Sequence, residues 1–425
     1  MLMKTLVNTA LISLSALLLF AACGKNDTEW NVPDAYKDAF SASAPTAGKE
    51  LTKVSLSEGQ DALVEASNSL AFNMLDKLYA GKSMIASPLS LYMSLGMAVN
   101  GADGSTRKEL LDLLGGDTGA VNAFAKSLLE QLPAVDLESK VRLADAVVLN
   151  DRYKLQGAYK TTVENSFYAP VESIPFSDPE LVANLVNSWC NRQTEGLIPD
   201  LLKASDITPE LAAILLNALY FKAKWTKPFE EYQVSGHSFS GLSGNIDFLN
   251  EQAGMGYVDK GGYHVVSRDY SNGKYKFYIL LPKAVNGLKD MLGQLQKESW
   301  KAIAGSMKYE QVLLRFPKFK TSSEMHLKQM LTQLGVTEAF KRTADFSAML
   351  ENGDAFISDI LQKATITVNE YGTEAAAVTA VMMAANAGPG PQEPILFVAD
   401  HPFAYVIAES SSNTILFSGI FDGKE

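Results

Sequence analysis

The sequence predicts an α+β fold built around large mixed sheets, and three observations carry that prediction. Helix-period apolar stripes cluster early in the chain, strand-like apolar runs come mostly later, and no linker of convincing size divides residues 60–425. The composition agrees: 47% of the residues are hydrophobic and 9% aromatic, enough for a sizeable core, although length alone admits one large domain or two to three smaller ones. The domain is placed at 59–425, after an apolar leader at 1–22 and a polar tether at 23–58.

Residues 61–79 open the domain as a helix, since Leu63, Leu70, Phe72, Met74 and Leu75 form an apolar stripe. Two further helices are expected at 89–97 and 108–114, the second stopped by Gly115-Gly116. Leu143-Ala-Asp-Ala-Val-Val-Leu149, 277–281 and 312–316 read as strands. The first two are nearly continuous in apolar residues, the pattern of strands covered on both faces.

Catalytic signatures fail one by one, so an enzyme is not expected. Gly241-Leu-Ser-Gly-Asn245 lacks the second glycine of a nucleophile elbow. No Walker loop occurs, nor a G-x-G-x-x-G after a strand. His237, His264, His326 and His401 are far apart and none stands at a ligand spacing, so neither a metal nor another cofactor is expected. The net charge of −11 disfavours nucleic acid as a partner. Lys222, Lys224 and Lys227 are read as a solvated face at a sheet end.

The most informative stretch is Val368-Asn-Glu-Tyr-Gly-Thr-Glu-Ala-Ala-Ala-Val-Thr-Ala380. From Thr373 to Gly388 there is no proline, so each residue is able to donate to a β-ladder, until Pro389 and Pro391 end that capacity. Taken as a strand, one face carries Thr373, Ala375, Ala377, Thr379, Val381, Met383 and Ala385, all small or apolar, and Glu374 falls on the other. Such a row is able to enter a sheet without burying an unpaired charge, which would cost several kcal/mol. By composition alone the same alanine-rich window equally suits helix or coil.

Several separated segments, in order, resemble the serpin family, and the resemblance covers roughly residues 60–425. Ile85-Ala-Ser-Pro-Leu-Ser-Leu91 and the following Gly101-Ala-Asp-Gly-Ser-Thr106 resemble the strand and helix start beneath the main sheet. Leu216-Asn-Ala-Leu-Tyr-Phe-Lys-Ala-Lys-Trp-Thr-Lys-Pro-Phe229 is similar to the strand and tryptophan turn where the loop enters. Leu314-Arg-Phe-Pro-Lys-Phe319 and Leu331-Thr-Gln-Leu-Gly-Val336 resemble the strand and helix before the hinge. Asp400-His-Pro-Phe403, Tyr405-Val-Ile407 and Phe417-Ser-Gly-Ile-Phe421 resemble the closing strands.

The resemblance implies helices packed around three β-sheets with an exposed reactive-centre loop, and a monomer that traps serine proteases as a covalent acyl complex. It assigns the hinge to Glu370, Gly372, Thr373, Glu374, Ala375, Ala376, Ala377 and Thr379, the entry tryptophan to Trp225, and a sheet-opening cluster to Ser87, Ser90, Asn217 and Gln362. Family members usually have a histidine where this chain has Gln362; an amide keeps a hydrogen-bond network possible but puts pH sensitivity there in doubt. The loop is longer than usual, so the scissile bond near Asn386-Ala387 has alternatives at Met383-Ala384, Ala384-Ala385 and Ala385-Asn386, with Ala385 or Asn386 preferred. Small and medium apolar residues there suit elastase-like or chymotrypsin-like proteases, and papain-like cysteine proteases stay open. Heparin is not expected, because 120–150, basic in some serpins, balances Lys126, Lys140 and Arg142 against Glu130, Asp136 and Glu138. The competing reading is a non-inhibitory binding protein of the same fold.

The N-terminus suggests a compartment. Lys4, an apolar run from Ala10 to Ala22 and the Phe20-Ala21-Ala22-Cys23 sequence resemble a bacterial lipoprotein signal, with Cys23 as the lipid-bearing residue. That implies a membrane-anchored outer-membrane lipoprotein of a Gram-negative bacterium, facing the cell surface or the periplasm. With Cys23 lipidated, Cys190 has no intramolecular disulfide partner and reads as a small buried hydrophobe.

Overall fold

The computed structural model describes residues 30, 32–36, 38–41, 44, 48–351, 355–373 and 393–424. Its helices are α1 (Gln60–Leu78), α2 (Pro88–Gly101), α3 (Gly104–Leu114), α4 (Thr118–Gln131), α5 (Gly157–Ser166), α6 (Pro179–Gln193), α7 (Leu288–Leu295), α8 (Trp300–Gly305) and α9 (Lys328–Gln333). Local chemistry sets their ends. Ser87 caps α2 ahead of Pro88, Asp178 caps α6 ahead of Pro179, and Asp103 and Asp117 cap α3 and α4. Gly115 ends α3 in the left-handed region, with its N–H returned to Leu111 O.

Two hydrogen-bonded sheets carry the strands. The larger runs β1 (Met84–Ala86), β15 (Ile415–Phe421), β14 (Phe403–Glu409), β8 (Tyr275–Pro282), β7 (Tyr263–Asp269), β6 (Asn245–Asp259), β9 (Lys308–Pro317) and β13 (Ile395–Val398), with β5 (Val234–Ser238) also on β6. The second has the order β10 (Phe319–His326), β11 (Leu361–Asn369), β12 (Gly372–Thr373), β4 (Ala213–Lys224), β2 (Lys140–Asn150) and β3 (Val171–Ile174). The expected third sheet is the group β5, β6, β9 and β13, joined to its neighbours where Gly256–Asp259 pair with β7.

The predicted elements fall in place. β2 and β8 are buried almost throughout, as their continuous apolar runs require. The main core lies between the two sheets and around α1 and α2, whose buried residues include Leu70, Phe72, Met74, Leu89, Leu91 and Met97. A second core sits on the other face of β2 and β4, where α6 lays Val182, Val186 and Trp189 over Ala144, Ala146, Val148, Leu216 and Ala218. Alternate residues of the two strands thus serve two cores.

Part of the stretch read as a tether packs on this second core: Phe40 is buried in it, with Val32 and Tyr36 against it. Further along, the Leu51 N–H donates to Ala134 O at 2.7 Å and the Val54 N–H to Ser411 Oγ at 2.9 Å. No helix of the described residues is long and apolar enough to cross a membrane, and none of their His, Cys, Asp and Glu residues group as a metal site.

Cys190, on α6, is buried in the second core, and burial pushes its thiol up to about 12. A thiol-reactive dye at mildly alkaline pH is therefore expected to label Cys190 only as the protein unfolds. Stoichiometric labelling of the native protein would contradict its position.

Candidate functional site at the loop hinge

β11 ends in a tight reversal. The Asn369 side-chain oxygen accepts from the N–H groups of Tyr371 at 2.9 Å and Gly372 at 3.2 Å, which turns the chain back on itself. Gly372 and Thr373 then form β12, antiparallel to β11 through Asn369 and Val368 and to β4 through Lys224 and Ala223. Only glycine fits at 372. Its φ is +148°, and a Cβ would stand 2.1 Å from the Ala223 carbonyl oxygen.

An aromatic block holds this reversal from behind. The Trp225 indole Nε1–H donates to Asn369 O at 2.8 Å, and the Trp225 backbone N–H donates to Tyr371 O at 3.0 Å. The indole stacks on Tyr270 with ring centroids 4.5 Å apart, and the Tyr270 hydroxyl shares a short hydrogen bond with Thr373 Oγ1. Stacking of this kind contributes about 0.5–1.5 kcal/mol beyond area burial. The Arg268 guanidinium lies 4.7 Å from the Trp225 ring centre and 4.0 Å from that of Phe229, neutralised by Glu251 at 2.9 Å. The Phe229 N–H donates to Glu370 O at 2.8 Å, and the Glu370 carboxylate pairs with Lys318 at 2.7 Å. Burial works against the charge on Glu370, but Lys318 and a backbone N–H hold its carboxyl below the ordinary value.

β4 and β11 are each antiparallel to β12 and so parallel to each other. Among the described residues they share no ladder of their own. Just below Thr373 a small cavity is lined by Leu219, Phe221, Thr365 and Ile366. Further along the same cleft, a larger one of about 380 Å³ lies between 213–219 of β4 and 361–364 of β11, roofed by Ile198, Leu201 and Leu211. The two cavities continue the line of β12.

All four residues of the expected sheet-opening cluster line the larger cavity. Three are linked directly. The Ser87 N–H donates to Gln362 Oε1 and Gln362 Nε2 donates back to Ser87 O, each at 2.8 Å, while Ser87 Oγ donates to Leu416 O and accepts from the Ser90 N–H. Gln362 thus ties β11 to the start of α2. Asn217 instead donates to Asp145 Oδ1 across the β2–β4 ladder at 2.8 Å.

Asp145, Tyr270 and Arg268 were not foreseen as members of the site. Asp145 left a signal, as the one charge inside the apolar run 143–149. The other two gave none, because β7 meets the hinge only through tertiary packing. Glu374, Ala375, Ala376, Ala377 and Thr379 of the hinge, the scissile candidates Met383, Ala384, Ala385, Asn386 and Ala387, and Cys23 lie outside the described residues.

The profile of the family described as Serpin (serine protease inhibitor) matches residues 65–422. The chain belongs to the serpin family. It is 31% identical to "Serine protease inhibitor 42Dd" of Drosophila melanogaster over 82% of this chain and 93% of that protein. Among solved serpins, Serpin48 of the insect Tenebrio molitor superposes with a TM-score of 0.76 at 26% identity, covering 86% of this chain and 99% of its own. The thermophilic serpin tengpin, in its native state, gives 0.78 at 25% identity, covering 88% and 97%. The fold is therefore the serpin fold, and the family is one of inhibitors rather than catalysts.

The seat of β12 in this serpin is testable at Gly372. Gly372→Ala is expected to drive Gly372–Thr373 out of the ladder, at a cost on the order of 2 kcal/mol. The reading is a lowered thermal midpoint together with faster amide exchange at Thr373 and Phe229; unchanged exchange at both would contradict the tight fit.

Proposed function

We propose that this serpin is a suicide-type inhibitor that traps an elastase-like or chymotrypsin-like serine protease, with papain-like cysteine proteases as a further class. The observation that carries the reading is the position of Gly372–Thr373, already laddered between β11 and β4 at the head of a cleft that continues their line. The sequence beyond Thr373 suits that cleft. Ala375, Ala377 and Thr379 follow on the same strand face, with no proline before Pro389.

The steps follow from this arrangement. The protease nucleophile adds to the scissile carbonyl, the peptide bond breaks, and the C-terminal fragment leaves as a free amine while the N-terminal side stays esterified to the enzyme. Cutting releases the hinge from its second attachment, so the strand started by β12 is free to extend between β4 and β11. Each residue added gains ladder hydrogen bonds and buries one face. About 13 or 14 residues at roughly 3.3 Å each carry the attached protease about 45 Å along the sheet. Displacement on that scale distorts the protease before water completes deacylation. The uninserted state is then a kinetic trap, held by a barrier rather than by being the lowest state.

Mixing the soluble domain, begun after Cys23, with pancreatic elastase and with chymotrypsin tests the proposal. A complex that survives denaturing electrophoresis is expected, and mass analysis of the released C-terminal peptide then gives the scissile bond, expected at Ala385 or Asn386. Thr379→Glu is expected to convert trapping into simple cleavage, because a carboxylate would enter the sheet unpaired. Cleavage without complex by every serine and cysteine protease tried would favour a non-inhibitory role.

The leader supports a second part of the proposal: the domain is anchored by lipid on Cys23 in a Gram-negative outer membrane, at the surface or the periplasmic face. Lipid chains contribute about 0.8 kcal/mol for each buried CH₂, so a multiply acylated cysteine holds such a domain firmly. Cys23→Ala is expected to move the protein from the membrane to the soluble fraction and to abolish fatty-acid labelling. Continued labelling of the variant would refute the anchor.

A further inference from the structure

Asp145 and Asn217 stand directly opposite each other on β2 and β4. Both are on the sheet face turned to the main core, as are Leu143, Val147 and Leu219, while Ala144, Ala146, Leu216 and Ala218 face α6. Asn217 Nδ2 donates to Asp145 Oδ1, but the other two atoms of the pair, Asp145 Oδ2 and Asn217 Oδ1, are buried without a hydrogen-bond partner. An ionised carboxylate only accepts, and so does an amide oxygen, so these two orphans do nothing for each other. A single proton changes that. With Oδ2 protonated, its O–H becomes a donor and Asn217 Oδ1 is the orphaned acceptor of the same pair, so an acid–amide couple with two bonds would leave no orphan.

The surroundings favour the proton. Asp145 is 3% exposed, and burial pushes its carboxyl up to about 7 against the lowering effect of the Asn217 bond. Burial and the Asn217 bond are the influences on it, with no charge among them. On α2 the sole titratable side chain is Tyr92, whose hydroxyl is engaged with Leu114 O; across the cavity β11 presents the neutral Gln362 and Lys363, which is paired with Glu324, and the rest of the lining carries Cys190, Lys203, Asp206, His326 and Asp359, the last two paired with each other. Lys140 and Arg142, the cations of β2, are paired with Glu195 at the exposed end of the strand.

We propose that Asp145 is protonated in the closed sheet and that its shared proton latches β4 to β2 at the wall of the insertion cleft. Asn217 lines that cleft, so opening it admits water to the pair. The ionised form gains from that water and the protonated form does not. Opening is therefore coupled to loss of the Asp145 proton, and the chain keeps a pH response without a histidine at 362.

The sign follows from linkage. The carboxyl is raised in the closed state and returns toward its ordinary value when open, so the latch is fully present below the ordinary aspartate range. It weakens as pH rises toward about 7 and is flat above that.

Amide hydrogen exchange of β2 and β4 in the intact protein, corrected for intrinsic rate, measures opening directly and needs no protease. It therefore stands or falls apart from the inhibitor proposal. Between about pH 5.5 and about pH 7.5, wild type is expected to open about tenfold more often at the higher pH. Asp145→Asn, in which an amide donor replaces the proton at every pH, is expected to change less than about twofold. Identical profiles for the two proteins would overturn the proposal. Should the variant fail to fold, the infrared band of a protonated carboxyl in wild type decides: loss of that band near neutral pH supports the latch, and its absence at about pH 5.5 refutes it.

Discussion

Among the described residues, a ladder two residues long is what joins β11 to β4, and the rest of the molecule is organised around that short bridge. Parallel neighbours with a cleft between them leave backbone N–H and C=O groups facing the gap, which is an unstable condition for the middle of a sheet. The fold contains it by pinning both margins. Gln362 ties β11 to α2, Asp145 and Asn217 tie β4 to β2, and the Trp225–Tyr270 stack holds the reversal at Asn369. Each pin is a small number of hydrogen bonds or one ring contact. That is the scale of interaction a barrier needs if it is to persist in storage and yet yield on cleavage.

The two faces of β2 and β4 divide the labour. The core-facing residues join the main apolar interior, with the Asp145–Asn217 pair among them. The opposite face carries α6 and the second core, with Trp189 and Cys190 at its centre and Phe40 from the N-terminal stretch beside them. Under the proposed insertion, α6 packed on this face of β2 and β4 stands beside the cleft and would add to the barrier from outside the sheet. A buried Trp against alanines is a close fit with few hydrogen bonds to break, and such surfaces slide more readily than they separate.

Legibility in the sequence followed the range of the forces involved. The helices expected at 61–79, 89–97 and 108–114, the stop at Gly115 and the buried strands β2 and β8 were readable because they depend on neighbours a few residues away. Gly372 differs: the resemblance assigned it to the hinge, but the reason only glycine fits, a clash with Ala223, is tertiary and was not legible. Tyr270 and Arg268 were silent, since nothing near them in the chain marks the stack or the cation that holds Trp225. Asp145 lay between. A carboxylate in a run otherwise fit for burial on both faces was an anomaly visible at once, but its partner on β4 emerged only when the register was known. Composition marks 23–58 as a tether and does not reveal that Phe40 and Val54 within it are buried against the body.

β14 and β15 occupy the interior of the larger sheet, with β15 between β1 and β14 and β14 between β15 and β8. Yet they come last in chain order among the described strands. Met84 waits for Ile420, and Asn68 on α1 waits for the backbone of Asn413 and Ile415. While the C-terminal strands are missing, β1 lacks its ladder partner and Asn68 of α1 lacks its backbone partners, and the main core stays open on that side. Closure of the main core therefore awaits residues 403–421.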